Sequence, residues 1–208
     1  PNLGPLVVSA TVWQMPGGMG VENLYDRLAA AVAPSAAEAG AGRIAIADSK
    51  KLYQPGGSLR HLERGVLVAL ASLGRCPASW RGLLEALDPA SGAGTAEIPW
   101  YAGYDERIPV CCEHGTAELG RRILDTCRAV GIHLREIRSR VVEPHDFNAR
   151  LACCGNKSAL LSEVTLGLAA ELAGGLAGPV SIICDKHGGR NRYADLLAEH
   201  FPDMFIEI

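Results

Sequence analysis

The chain has 208 residues, of which 48% are hydrophobic, and a formal net charge of −3. This length suits one α/β domain with an ordinary core, so we expect a single domain over residues 1–208. Its apolar runs are too short to cross a bilayer, and its net charge excludes recognition of nucleic acid through the field of the whole protein. Any nucleic-acid contact must therefore depend on local clusters of basic residues.

Seven cysteines occur, and they include two adjacent pairs, Cys111-Cys112 and Cys153-Cys154. Adjacent cysteines are poorly placed for a disulfide framework, and the chain lacks the CxxC spacing of many zinc sites. We therefore expect reduced thiols in a cytoplasmic protein without membrane contacts. The chain starts with Pro1 and stops on a strand-like run at residues 204–208, so we expect a fragment truncated at both ends.

Short apolar runs alternate with polar turns in the first part of the chain. Residues 5–13 predict a buried strand, residues 21–31 have helical spacing, and residues 34–42 predict a surface loop. A second apolar run at residues 43–47 is followed by a polar loop at residues 48–52. The next helix is predicted to have an apolar face formed by Leu59, Leu62, Val66, Leu70 and Leu73.

Periodicity fades over residues 76–115, where Trp100, Tyr101 and Tyr104 cluster. A connection of this length in a compact domain predicts an insertion with local structure of its own. Thr116 is then expected to cap a helix that ends at Gly131. The apolar face of that helix is predicted to comprise Leu119, Ile123, Cys127 and Val130.

Strand and helix patterns continue to the end of the chain. Residues 132–142 predict a long strand that stops before Pro144, and residues 147–174 predict one amphipathic helix. Residues 180–184 predict a buried strand that ends at Asp185, before a helix that begins near Tyr193. The alternation of strands and helices indicates an α/β layered sheet.

Asp185 is the most informative candidate for chemistry. A carboxylate at the carboxyl end of a buried parallel strand projects into the crevice where open α/β sheets bind their ligands. The following residues include Arg190 and Arg192, whose guanidinium groups can bind phosphate oxygens beside the acid. Capping of the next turn is the structural alternative for Asp185.

A second cluster lies at Asp48-Ser49-Lys50-Lys51-Leu52. Two ammonium groups and a hydroxyl in one loop are suited to holding a nucleic-acid backbone, although such charges are often only solvated surface. Asn156 and Lys157, near the start of a predicted helix, are further candidates for phosphate contacts. They can equally serve as a helix cap and a surface residue.

Together these segments resemble the ribonuclease HII family. In that family a glycine-flanked Asp-Glu motif leads to a GP-containing strand, a DSK(K)L loop, a helix and a strand that ends in a catalytic Asp. Gly4-Pro5-Leu6-Val7-Val8 looks like the strand, residues 48–52 match the loop letter for letter, and Asp185 matches the family's third carboxylate. Residues 143–148 resemble the segment that enters the long helix before that strand.

The resemblance implies a ribonuclease H-like mixed sheet flanked by helices, with the insertion at residues 76–115. It also implies a metal-dependent endoribonuclease that hydrolyses the RNA strand, or embedded ribonucleotides, of RNA–DNA duplexes. Asp185 would be a ligand of Mg²⁺ or Mn²⁺. Asp48, Ser49, Lys50, Lys51, Asn156, Lys157, Arg190 and Arg192 would contact the substrate. Protein partners are not predicted.

Three departures from the family pattern bear on activity. The Asp-Glu motif would precede Pro1, Asp185-Lys186-His187 stands where the family has Asp-Gly-Asn, and a fourth acid would fall near or beyond Ile208. We therefore expect the 208 residues alone to be inactive. A nucleic-acid-binding relative without catalysis is the alternative prediction.

A zinc or thiol enzyme is a further hypothesis. Its candidate residues are Cys111, Cys112, His114, Cys153, Cys154 and His187. The alternative is that these are buried structural cysteines, which are more common.

Overall fold

A computed structural model describes residues 4–17, 24–92, 98–111, 115–187 and 189–207. The chain divides into two compact units. The terminal unit comprises Pro1–Ala10 and Arg138–Ile208, and the central unit comprises Thr11–Ile137. None of the described helices combines the length and the apolar character that a bilayer-spanning helix needs.

Helices and short strands alternate along the chain, which is of the mixed α/β class. The strands are β1 (Leu6–Gln14), β2 (Val32–Ala33), β3 (Ile44–Ala45) and β4 (His133–Val142). The α-helices are α1 (Leu24–Arg27), α2 (Ala36–Ala39), α3 (Ser49–Leu52), α4 (Arg60–Ser72), α5 (Trp80–Leu87), α6 (Pro89–Gly92), α7 (Thr116–Ala129), α8 (Pro144–Cys154), α9 (Lys157–Ala173) and α10 (Ala194–His200). A 3-10 helix covers Pro99–Tyr101.

The core of the central unit lies between α4, α7 and a pair of short strands. β2 and β3 are parallel, with Val32 opposite Ile44. The buried residues that form this core are Leu28, Ala31, Val32, Ile44, Val68, Ile123, Cys127 and Ile132. Helices α4 and α7 approach closely at Gly120, where an added Cβ would lie 2.8 Å from the Cβ of Ala71.

In the terminal unit, the long helix α9 forms most of the core. Strands β1 and β4 form a two-stranded sheet, to which this unit contributes residues 6–10 and 138–142, and the Ser9 and Ser139 hydroxyls are 2.8 Å apart. One cluster contains the buried residues Val142, Phe147, Leu160 and Val164, with Leu6, Val8 and Leu151 packed against them. A second cluster joins α9 to α10 through Leu166, Ala173 and Phe201.

Several sequence predictions are confirmed. β1 matches the strand predicted at residues 5–13, and β4 matches the strand at residues 132–142 and stops before Pro144 as predicted. The predicted face of α7 is correct, because Ile123 and Cys127 are buried while Leu119 and Val130 pack against the same core. Gly131 follows that helix with φ of 73°, which suits the end of a helix.

The segment at residues 76–115 has the predicted local structure. It contains α5, α6 and the 3-10 helix, and Ser79 pairs with Arg107 in an isolated antiparallel bridge. The rings of Trp80 and Tyr101 lie 4.8 Å apart, so the aromatic residues pack on one another.

Four predictions for the chain before residue 131 are wrong in detail. Residues 34–42 contain α2, because the Ser35 hydroxyl accepts a hydrogen bond from the Glu38 amide. The loop at residues 48–52 contains α3, because the Asp48 carboxylate accepts one from the Lys50 amide at 2.8 Å. Thr116 is the first residue of α7, not its cap, which is Gly115. The apolar face of α4 is displaced towards α7, so Leu67 and Val68 are buried and Val66 is 43% exposed.

The single amphipathic helix predicted at residues 147–174 is also wrong. The chain forms α8 and α9 instead, separated by Gly155, which has a left-handed conformation, and by Asn156. Asn156 starts α9 by accepting a hydrogen bond from the Ala159 amide at 2.8 Å. Helix α9 is not one-sided, because alternate residues from Leu160 to Leu168 are buried and neighbours surround it.

Residues 180–184 do not form the predicted buried strand. Among the described strands none pairs with this segment, and Ile183 is 75% exposed. Its β-branched residues favour a strand, but a strand also needs a hydrogen-bonded neighbour. Asp185 therefore does not end a buried strand in this structure, and the strand-like run from Met204 is likewise irregular where it is described.

The close approach at Gly120 yields a stability prediction. Gly120→Ala should lower the free energy of unfolding by about 1–3 kcal/mol, because its Cβ would overlap Ala71. Gly65→Ala is the matched control within a helix, since its Cβ would meet only the Ala45 carbonyl oxygen at 4.0 Å. That control should be neutral or raise the stability by up to about 1 kcal/mol through helix propensity. Urea denaturation measures both, and equal effects would contradict the predicted packing.

Candidate functional site

Asp185 lies on an exposed segment that leads from α9 towards α10. Its carboxylate is accessible to solvent, as a metal ligand or phosphate-site residue requires. Two residues later the chain turns inward at His187, which is 3% exposed. The position of Asp185 therefore depends on how His187 is held.

His187 is anchored to α9 by side-chain and backbone hydrogen bonds. Its Nδ1 lies 2.9 Å from the hydroxyl of Ser162, which is fully buried. The Ser158 hydroxyl donates to the His187 carbonyl at 3.0 Å, so two serines one helical turn apart bind the same residue. A buried imidazole without such partners would be strongly unfavourable.

Tyr193, which precedes α10, closes the other side of this turn. The His187 amide donates to the Tyr193 hydroxyl oxygen at 2.9 Å. The two rings meet edge to face, with centroids 5.9 Å apart. The described residues between Asp185 and Tyr193 are thus held at two points, His187 and Tyr193.

The hydrogen bonds of Ser162 indicate which nitrogen of His187 carries the proton. The Ser162 hydroxyl donates to the Ser158 carbonyl at 2.9 Å, so it accepts from the imidazole, whose Nδ1 is protonated. Burial lowers the pKa of His187, and the Arg190 cation lowers it further, although Asp185 acts in the opposite direction. These effects favour the neutral imidazole at neutral pH.

Arg190 is held beside this anchor by its backbone. Its backbone amide donates to the His187 carbonyl at 3.3 Å, while its side-chain Nε is buried with no acceptor among the described residues. A buried donor without an acceptor costs about 1–3 kcal/mol. Lys186 donates to Asn191 at 2.6 Å, and Arg192 is exposed.

The structure brings Asn156 and Lys157 towards the same turn, because Ser158 follows them and binds His187. The Asn156 side-chain oxygen is used as the cap of α9, which is the structural alternative considered for this residue. Lys157 is exposed at the first position of the helix. This part of the terminal unit therefore combines one exposed carboxylate with several basic groups.

The Asp48 cluster lies in the central unit. The Asp48 carboxylate caps α3, while Ser49, Lys50 and Lys51 are exposed. The Gln54 amide donates to the Lys50 carbonyl at 2.7 Å and steadies the turn. The two lysines are therefore accessible to an anion.

The ligand set for a metal is partial in the described ranges. They contain no group of three or more His, Cys, Asp or Glu side chains placed to hold an ion. Asp185 supplies an oxygen of the kind that Mg²⁺ and Mn²⁺ prefer, but octahedral Mg²⁺ needs more ligands than one carboxylate provides. Asp185 by itself therefore does not form a metal site within the described residues.

The zinc and thiol hypothesis gains no support from the described residues. Cys111 and Cys153 are free and exposed, and the Nδ1 of His187 is committed to Ser162. Cys112, His114 and the side chain of Cys154 lie outside the described parts of the chain.

Ser162 and Tyr193 are members of the site that the sequence analysis does not name, and it names His187 only as a candidate for a zinc or thiol enzyme. Ser158 and Ser162, spaced by four residues within an apolar helix, are the available sequence signal, because buried hydroxyls require partners. The sequence does not show that the partner is His187, which lies 25 residues after Ser162.

No family model, curated protein or solved structure matches this chain. The relationship to ribonuclease HII therefore stays a prediction from the motifs.

The anchor yields a second stability prediction. Ser162→Ala should lower the free energy of unfolding by about 1–3 kcal/mol, because it leaves the buried Nδ1 of His187 without its partner. Thr165→Ala on the same helix is the control, since its hydroxyl has no partner among the described residues, and it should change stability by less than about 0.5 kcal/mol. Chemical denaturation measures both, and equal stability of the Ser162 variant and the wild type would contradict the anchor.

Proposed function

We propose that this chain belongs to a metal-dependent endoribonuclease with a ribonuclease H-like sheet flanked by helices. Its substrate is an RNA–DNA hybrid or duplex DNA that contains ribonucleotides. The observation that carries the proposal is that the exposed carboxylate of Asp185 and the partly exposed Arg190 lie on either side of His187 in the chain, and the His187 carbonyl accepts the Arg190 backbone amide at 3.3 Å. An acid and a guanidinium group on one turn suit a site for a phosphodiester and a cation.

The DSKKL sequence at residues 48–52 supports the same proposal. In the structure its serine and two lysines are exposed, so they are available to contact backbone phosphates. Such contacts position a duplex without reading its sequence. The ribose 2′-hydroxyl would then identify the strand to be cut, since it distinguishes RNA from DNA.

Asp185 would hold Mg²⁺ or Mn²⁺ together with the acids that the family resemblance expects upstream. The bound cation would supply an activated water and stabilise the leaving 3′ oxygen. The chain's own residues have separate tasks in this proposal. Arg190 and Arg192 bind the phosphate oxygens, and His187 holds the turn so that the acid and the guanidinium groups stay close together.

The cleavage test uses Asp185→Asn in a chain that also carries the expected Asp-Glu motif. Cleavage of a ribonucleotide-containing duplex in Mn²⁺ or Mg²⁺ should fall by at least about a hundredfold, because the ligand charge is removed. Asp203→Asn, an exposed acid of the same unit, is the matched control and should retain activity. Gel analysis of the nicked strand measures the rates.

Undiminished cleavage by the Asp185 variant would refute the assigned role. If the chain that carries both Asp185 and the Asp-Glu motif binds the duplex tightly and never cuts it, the non-catalytic relative is the correct alternative.

A further inference from the structure

Three arginines of the central unit converge on one short segment, residues 29–43. Arg43 donates to the Ala29 carbonyl at 3.3 Å, Arg64 of α4 to the Ala41 carbonyl at 2.5 Å, and Arg122 of α7 to the Ala30 carbonyl at 3.0 Å. An added Cβ on Gly42 would lie 3.2 Å from a terminal nitrogen of Arg122. We call Arg43, Arg64 and Arg122 the arginine patch.

Their positive charges are not neutralised by these contacts. A carbonyl oxygen accepts a hydrogen bond but carries no formal charge, and none of the three arginines forms an ion pair within the described ranges. The nearest acids in sequence to Arg43 are Glu38 and Asp48, whose carboxylates accept from the Ser35 hydroxyl at 2.7 Å and from the Lys50 amide at 2.8 Å instead. Three formal positive charges therefore lie over one short segment of the chain.

The hydrogen bonds also fix the guanidinium groups without using all their donors. A guanidinium has five N–H groups. Arg43 uses two nitrogens on the Ala29 and Glu38 carbonyls, and Arg64 uses two on the Gly40 and Ala41 carbonyls, so each terminal nitrogen retains a further N–H. Donors that are already held in place lose little conformational entropy when an anion binds.

Other basic residues of the same unit extend the positive surface. Lys50 and Lys51 on α3 are exposed, as is Arg60 at the start of α4. Burial lowers the pKa of His61, and the neighbouring cations Arg60 and Arg64 lower it further. Lowering of the pKa of His61 by these two cations indicates a locally positive electrostatic potential on this helix.

We propose that the arginine patch is a second phosphate-binding surface that holds the backbone of a nucleic acid. The identity of this polyanion rests on the proposed function, whereas the charge and the available donors belong to the central unit alone. Guanidinium forks match phosphate oxygens in geometry, and closely spaced phosphates suit three cations that are held at one segment. The patch sets affinity and orientation without base specificity.

The test is hybrid binding by Arg64→Gln/Arg122→Gln at a series of salt concentrations. Its affinity should fall by about tenfold or more, and the slope of log K against log salt should decrease by about one for each phosphate that the variant no longer binds. Arg128→Gln, an exposed arginine of α7, is the matched control and should stay within about twofold of the wild type. Arg64→Lys/Arg122→Lys should restore most of the slope, because it keeps the charges. A thermal melt confirms that each variant is folded.

The outcomes separate this inference from the proposed function. Unchanged affinity and slope in the folded double glutamine variant would overturn the patch, while cleavage that depends on Asp185 would still stand. Weakened binding by that variant, with intact binding by Asp185→Asn, supports the patch by itself. Failure of the wild-type chain to bind any nucleic acid, or binding only to anionic lipid vesicles, would overturn the patch.

Discussion

A buried imidazole needs a hydrogen-bond partner, and His187 finds one in Ser162 on the helix that forms most of the terminal core. The bond of 2.9 Å joins the irregular segment after α9 to that core. Because Asp185 is only two residues from His187 and Arg190 is three, this hydrogen bond determines where the acid and the guanidinium group lie. The candidate site is therefore positioned by a side-chain hydrogen bond instead of by the end of a strand.

Elements with strong local signals could be predicted from the sequence. The run of β-branched residues at β1 and the apolar spacing of α7 specify structure through nearest neighbours. Residues 180–184 have a similar local signal, yet a strand depends on a distant hydrogen-bonding partner that no local pattern supplies. The break between α8 and α9 is visible in Gly155-Asn156, a glycine and a capping residue, but the apolar spacing on both sides conceals it.

Residues of the candidate site could be proposed from the sequence, whereas the residues that hold them in place could not. Asp185 and Arg190 are distinctive because an acid and a basic residue flank a glycine turn. Their anchors, Ser162 and Tyr193, are ordinary residues in sequence, and only folding reveals that both contact His187. The arginine patch escapes sequence analysis for the same reason, because its members come from a loop and two separate helices. Contacts between residues that are far apart in the sequence bring these groups together, whereas the local spacing of apolar residues predicts only the helices that carry them.

In the proposed function, the segment from Asp185 to Tyr193 binds a phosphodiester of the substrate. Hydrogen–deuterium exchange with and without an RNA–DNA hybrid, in the presence of Mn²⁺, tests it most directly. The hybrid should slow amide exchange in this segment and at the start of α9, while the rate of amide exchange around the exposed Asp203 should be unchanged. A chain that binds the hybrid and shows no change in exchange at Lys186 to Arg192 would contradict it.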